Sequence, residues 1–236
     1  MSPGYRRALV KISGEALAGG RGYGLDKAKA LWIAVEIAKA QQEGREIGVV
    51  VGGGNILRGI DAASVGVPAL VGDQMGMVAT VLNALAFKAA LESEGITAVA
   101  MCAFPVGGFL EVFQREKALE HIGLGRVVVF AGGTGHPCFT TDSAAALRAA
   151  EIEADVLVKG TQVRGVFDKD PRIHPDARFF ETISPDEVLA RRLQVIDAAC
   201  VDILARKKIP AIVLNLHEVG NIAKALAGEK IGTTIA

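Results

Sequence analysis

Short aliphatic runs alternate with longer stretches of helical spacing along the whole chain. Residues 8–12, 46–51, 97–101, 126–131, 156–159 and 210–214 read as buried strands. Between them, Leu31, Val35, Ile37 and Ala38 set helical spacing over residues 26–43, and Gly44 ends that helix. Further helices are expected over residues 74–94, 115–121, 141–153, 195–207 and 218–227. Ser184-Pro185-Asp186-Glu187 opens one more short helix, with Ser as cap, Pro in the first helical position and Glu reaching back. Strands separated by helices imply right-handed crossovers and an α/β fold around a mainly parallel sheet. Residues 163–167 and 179–180 suggest irregular, partly antiparallel structure, so the chain from about Thr161 onward is a candidate lobe.

Composition supports that reading. Half of the 236 residues are hydrophobic and only 5% aromatic, which suits a core of Val, Ile, Leu and Ala under a parallel sheet. With 26 basic and 26 acidic residues, no global field draws the chain to nucleic acid or to an anionic membrane. A polyanionic ligand must therefore be met locally. Cys102, Cys138 and Cys200 are widely spaced and form no Cys-x-x-Cys pair, so a reducing compartment is expected, with neither a disulfide framework nor a zinc site. The first residues lack an apolar signal core, and the longest uncharged stretch, 95–110, is interrupted by Pro105, Gly107 and Gly108. A soluble cytoplasmic protein is expected.

Candidate chemistry gathers at strand C-termini, where open α/β sheets bind ligands. Lys11-Ile12-Ser13-Gly14 closes the first strand, and Gly52-Gly53-Gly54-Asn55 follows the second, with Arg58 just beyond. Gly132-Gly133-Thr134-Gly135 follows the 127–131 run, and Thr140-Thr141-Asp142 opens the next helix. Glycines there let backbone N–H groups approach phosphate oxygens, and the helix start adds donors and a favourable dipole. One such loop alone is ordinary turn chemistry; two at corresponding strand ends of one sheet, with a strand-end lysine, point to anion binding. Neither Gly-x4-Gly-Lys-Ser/Thr nor Gly-x-Gly-x-x-Gly after a strand occurs, which disfavours P-loop kinases and dinucleotide dehydrogenases. His121, His136, His174 and His217 lack metal-ligand spacing, although His136 sits inside a glycine loop, and no residue is assigned to a metal. Ser13 and Thr141 have no evident His partner for a hydrolase triad.

Phosphoryl transfer needs cations around the transferring group and in-line alignment. Lys11 and Lys159 end strands from which they could reach phosphates, and Arg58 could offer a planar fork. Lys159 reads equally well as a solvated strand end. Asp142 could hold both lysines, and helix capping alone would also explain it.

Five ordered motifs carry a resemblance. Lys11-Ile12-Ser13-Gly14-Glu15-Ala16-Leu17 resembles the opening motif of bacterial UMP kinases of the amino-acid-kinase superfamily. The run 52–59, then Gly72-Asp73-Gln74-Met75-Gly76-Met77 with Thr80 and Asn83, are similar to that family's second loop and long helix. Residues 132–142 resemble its acceptor loop; Lys159-Gly160-Thr161, Gly165-Val166-Phe167 and Asp170-Pro171 resemble its adenine-side segment. The resemblance implies a three-layer α/β/α sandwich in one domain, 1–236, with an acceptor half over about 1–155 and an ATP lobe over about 156–236. It implies transfer of the γ-phosphoryl group of ATP to UMP, giving UDP in pyrimidine nucleotide biosynthesis, with Mg2+ accompanying ATP.

The same resemblance implies the site. Lys11, Ile12, Ser13 and Gly14, with Gly54 and Arg58, would hold ATP phosphates, while Thr161, Phe167 and Asp170 would frame the adenosine. Gly53, Asp73 and the stretch Thr134, Gly135, His136, Pro137, Cys138, Phe139, Thr140 and Thr141 would hold UMP, with Asp73 on the ribose hydroxyls. Lys11 and Lys159 would stabilise the transferring group, oriented by Asp142. Gly19, Gly20, Arg21, Gly22, Tyr23 and Gly24 match the segment that meets a GTP activator, and a homohexamer with UTP inhibition is implied. Where the family reads Lys-Ala-Thr-Lys-Val-Asp-Gly, this chain has Gly160, Gln162 and Arg164. Asp197 matches a family motif only partly.

Overall fold

Each of the six aliphatic runs forms a strand in the computed structural model, which describes residues 4–57 and 66–236. The strands are β1 (Arg7–Ile12), β2 (Glu46–Val51), β3 (Ala98–Cys102), β4 (Glu111–Val112), β5 (Val127–Ala131), β6 (Val156–Thr161), β7 (Thr182–Ile183), β8 (Ala211–Asn215) and β9 (Thr233–Ile235). They form one sheet in the order β4-β3-β5-β2-β1-β6-β8-β9-β7. Pairing is parallel except between β8 and β9. The described helices are α1 (Gly14–Ala18), α2 (Lys27–Gln42), α3 (Ala69–Ser93), α4 (Arg115–Gly123), α5 (Thr141–Glu151), α6 (Pro185–Ala190), α7 (Ala198–Lys207) and α8 (Asn221–Leu226).

Alternation along the central strands builds the three layers. Ala8, Val10 and Ile12 of β1 and Val156 and Val158 of β6 face a core with residues of α2, α3 and α8. Leu9 and Leu157, one position out of phase, face the other core, with residues of α4, α5, α6 and α7. Successive strand side chains point to opposite faces, so a parallel sheet buried on both sides must be apolar at nearly every position. The sheet is therefore the middle layer of an α/β/α sandwich.

Helix ends follow capping chemistry. Asp26 caps α2 by accepting from Lys29 N at 3.1 Å, and Ser184 caps α6 by accepting from Glu187 N at 3.1 Å. Two expected starts move. The helix expected from Gln74 begins at Ala69, after Pro68, so Gly72 and Asp73 lie within its first turns rather than ahead of it. The helix expected from Val195 begins at Ala198, because the Asp197 side chain caps it by accepting from Cys200 N at 2.7 Å. The strands β4, β7 and β9 and the five-residue α1 were not expected; segments this short carry no readable period. The irregular region is as anticipated, with an isolated antiparallel bridge between Phe167 and Phe179.

By length and composition α3 could cross a membrane. Its buried face, however, carries Thr80 and Asn83, and the helix packs on α2 and on the sheet.

Candidate active site

The centre of the site is set by strand register. In the β1–β6 pair, Lys11 stands directly opposite Lys159. Both follow the phase of Leu9 and Leu157, so both side chains enter the layer that holds α5. Thr140 caps α5, its hydroxyl accepting from Asp142 N at 3.0 Å, and this places Asp142 in the first turn above the strand ends. Lys11 Nζ lies 2.8 Å from Asp142 Oδ1, and Lys159 Nζ donates to Oδ2. The Lys11 contact is an ion pair off hydrogen-bond geometry, since Oδ1 accepts no hydrogen bond. Asp142 is thus more than a helix cap, and Lys159, which is buried, is not a solvated strand end.

Burial and charge oppose each other here. Burial pushes the Asp142 carboxyl up, but the Lys11 and Lys159 ammonium groups outweigh it and hold Asp142 below the usual carboxylate range. Burial pushes the Lys159 ammonium down, and Lys11 adds to this; Asp142 opposes without cancelling it. Two lysines against one carboxylate give the cluster an excess of cationic groups, as a site for a transferring phosphoryl group requires.

Backbone surrounds this cluster. Ser13 caps α1 by accepting from Ala16 N at 3.2 Å, and Gly52 N donates to Ile12 O at 2.8 Å. A Cβ on Gly14 would stand 2.8 Å from Gly54 N, so only glycine lets the two loops meet backbone to backbone. Two polar residues on α3 hold the glycine loops: Asn83 donates to Gly52 O at 2.6 Å, and the Thr80 hydroxyl accepts from Gly132 N at 2.7 Å. Gly132 sits at φ +79°, a conformation that L side chains rarely adopt. Asn55 and Asn83 also exchange carboxamide bonds at 3.1 and 2.6 Å.

Asp73, half-buried on α3, accepts from Cys138 N at 2.8 Å through Oδ2 and so ties the helix to the loop that precedes α5. Thr134 closes its own turn with His136, whose side chain is exposed. Lys11, Ser13, Lys159, Thr161, Phe167 and Asp170 line a cleft of about 590 Å³. Within it, the Thr161 hydroxyl donates to Val163 O at 2.7 Å, and Phe167 packs edge-on to Phe179. Hydrogen bonds from Arg172 hold the Asp170 carboxyl down to about 2. A second cleft of about 540 Å³ adjoins it along Thr140, Thr141 and Asp142.

Not every expected residue joins the site. Ile12 is buried in the opposite core, so it can contribute backbone alone. Arg58 lies outside the described residues. Among the described residues, the hydrogen bonds that join the 19–24 segment to the site run through Gly24, whose N–H donates to Asn55 O at 2.7 Å and whose carbonyl accepts from Asn55 Nδ2 at 2.6 Å. Asp197 was undervalued. Its carboxylate accepts from the Thr140 hydroxyl, from Ser143 N at 3.1 Å and from Ser143 Oγ at 2.9 Å, pinning the start of α5 to the start of α7. The available signal was an Asp just before Ala-Ala-Cys, which the apolar pair Val195-Ile196 concealed by extending the apparent helix.

Known proteins share this architecture. The Amino acid kinase family model matches residues 6–215. The chain is 47% identical over 236 residues to the uridylate kinase of Rhizobium johnstonii, covering 100% of this chain and 98% of that one. It is 50% identical over 226 residues to the uridylate kinase of Agrobacterium fabrum, covering 96% and 94%. Among solved structures, UMP kinase from Bacillus anthracis superposes with a TM-score of 0.95 at 33% identity, covering 99% of this chain and 96% of that one. UMP kinase from Ureaplasma parvum gives 0.92 at 32% identity, with both chains fully covered. With its glycine loops, paired lysines and full-length similarity, the chain belongs to the amino acid kinase family and, within it, to the uridylate kinases.

Proposed function

We propose that this chain transfers the γ-phosphoryl group of ATP to UMP, giving ADP and UDP for pyrimidine nucleotide synthesis. The observation that carries the reading is Asp142 bridging two lysines that face each other across adjacent parallel strands. Lys11 and Lys159 stabilise charge on the transferring group, and Asp142 orients them. Backbone N–H groups around Ser13, Gly14 and Gly54 cradle the donor phosphates, and the Arg58 guanidinium is a further candidate for them. Thr161, Phe167 and Asp170 frame the adenosine, with residues from about 156 onward acting as the donor lobe and the preceding half as the acceptor side. UMP lies between Gly53, Asp73 and the Thr134–Thr141 stretch, and the Asp73 oxygen not bonded to Cys138 takes a ribose hydroxyl.

Among the described residues, no group of three His, Cys, Asp or Glu side chains could hold a metal ion. Magnesium would arrive bound to the phosphates of ATP and would supply charge neutralisation there. The enzyme works in the cytoplasm as a homohexamer. Support for assembly comes from Val71, Met75, Val78 and Leu82, which repeat at 4, 3 and 4 residues as an exposed apolar seam on α3. UTP, sharing the uridine, competes in the acceptor site. GTP activates at the 19–24 segment, where Arg21 offers phosphate a cation and Asn55 links Gly24 to the second glycine loop.

A coupled assay with ATP and UMP, CMP, dUMP, acetylglutamate and carbamate tests the reading. UMP should be used best, and dUMP poorly, because a site built to bond a hydroxyl rejects the analogue lacking it. Lys159→Ala should lower kcat with UMP by on the order of a hundredfold while KM changes little. Preference for CMP or for a carboxylate acceptor would overturn the substrate assignment.

A further inference from the structure

The turn after α6 holds a cation where a helix end normally holds glycine. Arg192 N donates to Leu189 O at 3.1 Å, and Leu193 N donates to Val188 O at 3.1 Å. This is the paired backbone pattern that ends a helix, and its penultimate position favours glycine because the backbone must turn left-handed. Arg192 takes that position at φ +51°. Both bonds of the turn come from backbone, so the turn itself has no use for a guanidinium. Non-glycine residues held in this conformation are enriched at functional sites.

Its place in the molecule supplies a use. Arg192, Leu193 and Gln194 line both clefts of the active site, and so does Lys11. The 192–194 turn is therefore the wall shared by the two clefts beside the catalytic lysine.

Charge accounting then separates Arg192 from its neighbours. Lys11 and Lys159 share Asp142, Lys169 pairs with Asp176 at 2.6 Å, Arg172 with Asp170 at 2.8 Å, and Arg191 with Glu187 at 2.6 Å. Among the described residues lining the two clefts, Arg192 is the cation with no ion pair and no side-chain hydrogen bond. The lysine–aspartate cluster offers a net charge of one, well short of a triphosphate's. A free planar fork at the mouth of such a site is suited to phosphate oxygens.

We infer that Arg192 is a further phosphate-binding cation of this enzyme, engaging the polyphosphate of the donor nucleotide. The inference rests on the donor-cleft reading above and adds a residue that no motif in the sequence marked.

Arg192→Gly is the informative variant, because glycine prefers this backbone conformation and should not weaken the fold. Binding of MgATP, AMP and UMP to the full-length enzyme would be measured by calorimetry without turnover. MgATP affinity should fall about tenfold in Arg192→Gly and be partly restored in Arg192→Lys, while AMP and UMP affinities and the unfolding temperature hold. Unchanged MgATP affinity would overturn the inference, and so would an equal loss for AMP, which would make the residue structural. Wild-type UMP phosphorylation in the same preparation judges the kinase reading separately: its absence sinks that reading, while the comparison of MgATP with AMP judges Arg192 alone.

Discussion

Lys159 carries opposing demands in one side chain. In the proposed reaction its ammonium must be charged, whereas burial disfavours the charge and lowers its pKa from the ordinary 10.5. The unfolded chain holds this proton more tightly, so between the lowered value and 10.5 the Lys159 contribution to stability rises with pH. Activity moves the other way, because the cation is lost over the same window. The alkaline limb of kcat/KM for ATP should therefore fall below 10.5 while the fold holds. In Lys159→Arg, whose guanidinium does not deprotonate, whatever activity remains should lose that limb. A pH–rate profile with parallel circular dichroism decides it; an alkaline loss that coincides with unfolding would contradict the argument. Asp142 behaves oppositely: its carboxyl is held below 3.8, so its stabilisation is complete above that pH and is lost only as pH falls through the lowered value. At this scale the sequence was informative about identity and silent about geometry. It marked Lys11, Lys159 and Asp142 as candidates, but a register pairing between distant strands leaves no local signature. Arg192 stayed hidden and Asp197 was undervalued for the related reason that their roles depend on neighbours far along the chain.

At the scale of elements, α3 shows how polar residues within an apolar helix can organise loops. Asn83 is fully buried, yet its carboxamide meets Gly52 O and both polar atoms of the Asn55 side chain. Replacing it by leucine strands the Gly52 carbonyl and half of the Asn55 amide in the interior, and an unsatisfied buried polar group costs about 1–3 kcal/mol. Asn83→Leu should lose about 3 kcal/mol in denaturant unfolding and bind both nucleotides more weakly. A variant as stable as wild type would mean that the carboxamide pair is incidental. Strong periods made the main strands and helices legible, and local capping made the starts of α2 and α6 legible to the residue. What escaped was weakly local: the two-residue strands β4 and β7, and the early start of α3 behind Pro68.

For the whole molecule, the unpartnered feature is the apolar seam of α3. Val78 and Leu82 remain about half exposed on a helix whose other face is buried against α2 and the sheet. Monomers rarely leave such a stripe to water. If the proposed homohexamer forms through this seam, Val78→Glu should shift it to smaller species in sedimentation velocity while leaving the circular dichroism spectrum unchanged. An unaltered assembly would place the subunit contact elsewhere.

The central pairing of β1 with β6 also bears on the order in which the protein becomes competent. The first lysine is translated near the start, and the aspartate and second lysine that complete the cluster come only after the chain has passed its midpoint. Until then an aliphatic first strand has one of its two neighbours and a cation with nothing to neutralise it. A chain released early therefore has neither a charged cradle nor a reason to bury its first strand on that side. A chain truncated before Asp142 should therefore be unfinished in folding and in chemistry at once, open to proteolysis and unable to hold nucleotide.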